Sequence, residues 1–281
     1  MTLNNFTWLK EINDNTSPLF FILGPCVIES EQHTLMTAEF LKKLSQRLSF
    51  NLIFKSSFDK ANRISITSYR GVGLDAGLKI LEKVRNQFQI PVLTDVHETI
   101  QVQPIAQVVD VLQIPAFLCR QTDLLLAAGK TGKVIHVKKG QFITPEVMPS
   151  IYEKIESTGN SHIWGCERGY TMGYGNLIVD FRNFPVMKSF GKPVIFDATH
   201  AVQRPGGLGT ATGGDRKFVP SLATAAVAQG IAGIFIEVHE QPEKALSDGP
   251  NLIRLSQLES LLKHLIDLDA WIKAHPMPQA S

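Results

Sequence analysis

The sequence carries no surplus of either charge. Its 28 Lys and Arg face 26 Asp and Glu, a formal net charge of +2 over 281 residues. That balance excludes the broad basic surface that nucleic-acid binding needs, and there is no acidic tail. Phosphate binding must come from local clusters. No stretch approaches the ~18 apolar residues of a membrane span. The opening MTLNNFTWLKEINDN lacks the basic-then-apolar order of an export signal. The three cysteines, Cys26, Cys119 and Cys166, do not make a disulfide framework and fit a reducing compartment. Low-complexity segments, obvious linkers and sequence repeats are also missing. The chain reads as cytoplasmic, with small molecules rather than nucleic acid or membrane as partners.

What is present is a rhythm. Short apolar, β-branched runs recur at 20–24, 52–55, 91–95, 110–114, 134–138, 162–167, 193–197 and 233–238. They lack strict alternation, as strands buried on both faces should. Amphipathic stretches lie between them, for example 34–48, 75–88, 219–230 and 255–274. Strand alternating with helix predicts a parallel sheet with right-handed crossovers. Eight such repeats close most simply into an α/β fold of one (β/α)8 barrel domain. Residues 1–18 are expected as an N-terminal extension, a bottom cap or a small hairpin. The Gly-rich stretch 204–216, RPGGLGTATGGDR, is too flexible for an element and reads as a mobile loop over the site. Residues 275–281 read as a frayed tail.

In such a barrel the chemistry sits where the strands end. Every apolar run here ends in or beside a reactive group: Cys26, Lys55, Asp95, Gln113, Lys138, Arg168, His200 and Glu237. A structural barrel has no need of this, so the convergence argues for an enzyme. One set is cationic: Lys55, Lys60, Arg63, Arg120, Lys138 and Arg168. Together they suit a substrate rich in phosphate and carboxylate. The other set is Cys26, His200, Glu237 and Asp248, a thiol, an imidazole and two carboxylates able to ligate a divalent metal. Their spacing forms no local metal motif. Taken singly, Cys26 is a small buried hydrophobe, His200 a core histidine and Asp248 a turn residue in SDGP. Cys119 and Cys166 read as core residues.

Several strings resemble 3-deoxy-D-manno-octulosonate 8-phosphate synthases over nearly the whole chain, from about Phe20 to Leu265. They are KSSFDKANRISITSYRG (55–71), LTDVHE (93–98), QIPAFLCRQTDLL (113–125), VKKGQF (137–142), IFDATHAVQRPGG (195–207) and FIEVHEQPEKALSDGP (235–250). FDKANR is the most specific, because the related heptulosonate synthases carry a KPRTS-type segment there. The resemblance implies a homotetramer that condenses phosphoenolpyruvate with arabinose 5-phosphate and releases phosphate, for lipopolysaccharide biosynthesis.

Position by position, the resemblance implies that Lys138 and Arg168 hold phosphoenolpyruvate, with Lys55, Lys60, Gln113 and the Ala116 backbone around it. Asn62 and Arg63 match the sugar-phosphate site, where Ile64 replaces a common Ser. Arg63 and Arg120 are candidates for contacts shared between subunits. Lys60, Asp95, Lys138, His200 and Glu237 are implied as the catalytic set. The family has a metal-dependent form with Cys where the metal-independent form has Asn. Cys26 implies one divalent ion, Zn, Fe, Mn or Co, on Cys26, His200, Glu237 and Asp248. SDGPN, by contrast, departs from the SD-x-x-TQ of metal-dependent members. The rival readings are a heptulosonate synthase using erythrose 4-phosphate, a sialic acid synthase and a non-catalytic phosphosugar-binding barrel.

Overall fold

Eight strands close on themselves in the computed structural model, which describes residues 6–172, 175–204 and 213–276. They are β1 Phe20–Gly24, β2 Leu52–Lys55, β3 Val92–Asp95, β4 Val111–Ile114, β5 Val134–Lys138, β6 Ile163–Glu167, β7 Val194–Asp197 and β8 Gly233–His239. Each pairs in parallel with its sequence neighbours, and β8 returns to β1. Around them run α2 Glu31–Leu48, α3 Leu74–Phe88, α4 Thr99–Val108, α5 Thr122–Gly129, α6 Met148–Glu156, α7 Asn183–Ser189, α8 Val219–Val227 and α9 Leu255–Ala274. This is the (β/α)8 barrel that the alternation predicts. Among the described residues no helix is long and apolar enough to cross a membrane.

Every position of the eight strands is buried. The continuous apolar runs hide a period of two, because successive side chains leave the pleat on opposite faces. Phe21 and Leu23 join the layer between strands and helices. Phe20 and Ile22 instead fill the barrel with Ile53, Leu93, Trp164 and Phe235. The Phe20 and Trp164 rings lie 4.9 Å apart. A short helix, α1 Trp8–Glu11, plugs the lower end with Leu9 and Ile12. Trp164 Nε1 donates to the Ile12 carbonyl at 3.4 Å. Over residues 6–18 the N-terminal extension is thus a helical cap and not a hairpin, and residues 1–5 lie outside the described residues.

Two further expectations need correction. The Gly-rich stretch is not without structure at its ends, since Gln203–Arg204 pairs antiparallel with Gly213–Gly214. Residues 205–212 of that predicted loop lie outside the described residues, as do 277–281 of the predicted tail. Helix α8 stops at Val227 and not 230, because the Gln229 and Gly230 amides bond three residues back, to Ala226 and Val227.

Register decides what meets at the top. Gly24 pairs with Glu237, Asp95 with Gln113 and Lys138 with Cys166. At Gly24 the backbones approach so closely that an added Cβ would lie 1.9 Å from the Lys55 carbonyl oxygen. Backbone cannot swing aside as a side-chain tip can. Gly24→Ala should cost about 3 kcal/mol through forced backbone displacement. Urea denaturation measures it, and a loss below about 1 kcal/mol would show that β1 and β2 can separate freely.

Candidate active site

Cys26 follows β1, Glu237 lies in β8, and Asp248 sits in the loop beyond β8 at φ +50°. One ligand atom from each lies within 4.8 Å of the others. Cys26 Sγ is 3.5 Å from Asp248 Oδ2 and 2.8 Å from Ser247 Oγ. His200, just past β7, completes the group. Its Nε2 lies 3.5 Å from Glu237 Oε2 and 3.8 Å from Asp248 Oδ2. Asp197 takes the other ring nitrogen, Nδ1, at 2.7 Å and accepts the His200 backbone N–H at 2.9 Å. A proton held on Nδ1 leaves Nε2 as a free lone pair, the arrangement a metal-ligating histidine needs. Glu237 Oε2 is buried without a hydrogen-bond partner among the described residues. An orphaned carboxylate oxygen beside a free imidazole lone pair and a thiol fits a divalent first-row cation.

Above this cluster opens a cavity of about 1220 Å³. Its wall is cationic: Lys60, Arg63, Lys138 and Arg168 all line it, with Lys55 at its base. Lys138 Nζ bonds Asp197 Oδ2, lies 3.4 Å from His200 Nδ1 and stands 3.8 Å over the Phe235 ring. Arg168 gives Nη2 to Gln203 Oε1 at 2.6 Å, while its buried Nη1 has no partner among the described residues. Lys60 donates to Ser57 Oγ at 3.0 Å. Gln113 turns its Oε1 to His136 Nδ1 at 3.2 Å. The partly buried Arg63 reaches the Tyr69 carbonyl at 3.1 Å and Asp248 Oδ1 at 3.8 Å. Asn62 and Ala116 also line the cavity.

Burial and charge compete at each titrating group. Burial alone would raise Glu237. Lys55, 2.5 Å away, outweighs it with His200 and Lys60, and the carboxyl stays well below its ordinary range. Asp197 is likewise held low against burial by His200 and Lys138. Asp95 is held low against burial by His97, whose Nε2 is 2.7 Å from its Oδ2. Cys26 goes the other way: burial first, then Glu237, push the thiol up against the pull of Lys60. A metal would have to displace that proton.

The three depressed carboxylates set an acid limit. Their folded-state values lie below the unfolded ones, so their stabilisation is complete above about pH 4.5. It is lost as pH falls through the unfolded values toward the folded ones. For metal-free protein, stability should fall below pH 4.5 by up to about 1.4 kcal/mol per pH unit for each carboxylate. Urea denaturation at stepped pH reads the slope; a flat profile from pH 5 to 3 would contradict these assignments.

The fold gathers Cys26, Lys55, Lys60, Asn62, Arg63, Asp95, Gln113, Ala116, Lys138, Arg168, His200, Glu237 and Asp248 at the top of the barrel. Arg120 does not join them: it is exposed and does not line the cavity. Cys166 lies inside the barrel and Cys119 in the outer layer, as core residues. Sequence reasoning did not single out Ser247 beside the thiol, Gln203 on Arg168 or His136 on Gln113. Asp197 and His97 stood near strand ends, and only their proximity in space gives them partners.

Residues 5–274 match the model of the DAHP synthetase I family. The chain is 59% identical over 255 residues to the 2-dehydro-3-deoxyphosphooctonate aldolase of Trichlorobacter lovleyi, which covers 91% of this chain and 94% of that one. It is 55% identical over 256 residues to the enzyme of that name from Geobacter sulfurreducens, covering 91% and 94%. The corresponding protein of Syntrophotalea carbinolica is 53% identical over 258 residues, covering 92% and 93%. With this similarity along almost its whole length, the chain belongs to the DAHP synthetase I family, among its 2-dehydro-3-deoxyphosphooctonate aldolases.

Proposed function

We propose that the chain condenses phosphoenolpyruvate with D-arabinose 5-phosphate and water, giving 3-deoxy-D-manno-octulosonate 8-phosphate and inorganic phosphate. One observation carries this reading: a cationic wall faces the same cavity as His200 and Asp248, against which Cys26 and Glu237 are packed. In the reaction, C3 of the enol phosphate bonds to the aldehyde carbon, water adds at C2, and the C2–O bond to phosphate breaks to leave a ketone, one water proton ending on the former aldehyde oxygen and the other on the phosphate. Lys138, Lys60 and the unpartnered Nη1 of Arg168 hold the polyanion and neutralise the charge that gathers on the departing phosphate. Gln113 and the Ala116 backbone flank it. His136 gives its Nδ1–H to Gln113 Oε1, which leaves the Gln113 amide N–H groups for the anion.

Arg63 and Asn62 take the distal phosphate of the sugar. Arg120 serves the cavity of a neighbouring copy, which makes the working unit an oligomer, a homotetramer in our reading. Cys26, His200, Glu237 and Asp248 would hold a divalent cation, which supplies orientation of the aldehyde and modest acidification of the attacking water. Lys55 keeps Glu237 ionised in its buried position. Asp95 keeps His97 at the cavity wall, where the pair is placed to move a proton, while His200 is held as a ligand by Asp197. The pathway product is the Kdo sugar of lipopolysaccharide, and the setting is the cytoplasm.

Phosphate release from phosphoenolpyruvate plus arabinose 5-phosphate tests the reading. Activity should fall by at least about 100-fold after verified metal removal and return with a divalent cation. Full activity in metal-free protein would remove the metal assignment and leave the reaction standing. Turnover of erythrose 4-phosphate in place of arabinose 5-phosphate would overturn the substrate.

A further inference from the structure

A second group of metal-type side chains lies where helix α2 starts and strand β8 ends. One ligand atom from each of Glu29, His33 and His239 falls within 4.8 Å of the other two. Two buried nitrogens there, His33 Nδ1 and His239 Nε2, have no hydrogen-bond partner among the described residues. His239 is only 3% exposed. Its Nε2 stands 3.5 Å from Glu29 Oε1, close to the ~3.4 Å edge of a tetrahedron with bonds near 2.1 Å.

The ring protons are also accounted for. Glu240 Oε2 lies 2.8 Å from His33 Nε2 and 3.3 Å from His239 Nδ1. The bond to Glu240 puts the His33 proton on Nε2 and leaves Nδ1 as a lone pair, whereas His239 must move its proton to Nδ1, facing Glu240, to free Nε2 for a cation. That is the carboxylate–histidine arrangement of bound transition metals. The Gln241 backbone N–H also points at His239 Nδ1, at 2.9 Å. Cation binding at Nε2 therefore breaks this hydrogen bond and turns Nδ1–H to Glu240. The Leu246 backbone N–H donates to Glu29 Oε1 at 2.9 Å.

We infer that Glu29, His33 and His239 form a second divalent-cation site, of the zinc or cobalt class, with Glu240 fixing both imidazoles. Water completes the coordination, since Glu240 is 37% exposed at its side chain and leaves an approach from solvent. The site fastens the start of α2 to the segment Leu246–Asp248 through the Leu246 amide. It therefore steadies the loop that carries Ser247 and Asp248, and takes no part in bond making.

Cobalt separates the two sites by colour, because only a thiolate ligand gives a sulfur-to-cobalt charge-transfer band. Metal-free full-length protein is titrated with Co2+, following absorbance and calorimetry together. Two equivalents per chain are expected, of which one brings the charge-transfer band. His33→Leu should keep that equivalent and lose the other, and His33→Gln should do the same if leucine disturbs folding. Glu240→Leu should weaken the second equivalent by about 10–100-fold. A single equivalent without the band, lost in His33→Leu, would support this site while refuting the Cys26 one. A second equivalent that persists in both His33 variants, or wild-type binding that ends at the thiolate equivalent, would overturn the proposal.

Discussion

Lys55→Met should be the most destabilising single change at the top of the barrel. The Lys55 and Glu237 side chains are 2% and 0% exposed, with Nζ 2.5 Å from Oε1. Removing the cation strands a carboxylate out of reach of water. Breaking a buried pair in this way costs about 3–5 kcal/mol. In a chain of this size that is a fall in Tm of roughly 10 °C. The Cys26 carbonyl also loses its donor, at 2.9 Å.

The pH dependence of this variant should reverse at Glu237. In the wild type the carboxyl is held low. Without Lys55, burial dominates and its folded-state value rises above the unfolded one. The neutral form then stabilises the fold at low pH, and that contribution is lost as pH rises through the folded value. The variant should therefore be least stable relative to wild type at pH 8 and closest to it near pH 5. Replacing both partners, Lys55→Met with Glu237→Leu, should recover stability to within about 2 kcal/mol of wild type, because no charge is left buried. It should not recover activity, since a cluster ligand has gone. A single variant within 1 kcal/mol of wild type at pH 7 would mean that water reaches Glu237 and that the pair is not the support described here.

That pair shows what the sequence conveyed and what it withheld. Lys55 and Glu237 each end or interrupt an apolar run, so their place at the upper rim was readable from local pattern. Burial on both faces removes the alternation, yet run length and β-branching still marked all eight strands. That Lys55 faces Glu237, 182 residues away, follows from closure of β8 on β1 and from register, which no local pattern carries. The same holds for Lys138 and Asp197, and for His33 and Glu240. Cys26 shows the limit most clearly. By composition a lone thiol is a small hydrophobe; resemblance to a family names it a ligand candidate, and its neighbours Glu237, Asp248 and Ser247 supply the geometry. Arg120 is the converse: its string fits the sugar-phosphate set, yet on its own chain it faces outward.

Lys138→Met should give the largest loss of activity with little loss of fold. Its side chain is 7% exposed and lines the cavity, bonded to Asp197 and seated over the Phe235 ring. Asp197 keeps the His200 backbone N–H and ring nitrogen as partners, so the carboxylate is not left alone. Methionine fills nearly the same volume against Phe235. Thermal stability should fall by no more than about 2 kcal/mol. Catalysis should suffer far more, because in the proposed reaction breaking the C2–O bond moves charge onto the phosphate oxygens that Lys138 is assigned to hold. An interaction that strengthens toward the transition state lowers kcat when it is removed, whereas uniform binding appears only in KM. We expect kcat to drop about 10³-fold, or about 4 kcal/mol, with a smaller rise in the KM for phosphoenolpyruvate. Lys138→Arg should not restore it, because a planar fork does not replace a point charge packed between a carboxylate and an aromatic face. If kcat were unchanged and only KM rose, Lys138 would merely anchor the substrate, and charge stabilisation on the leaving phosphate would fall to Arg168 and Lys60.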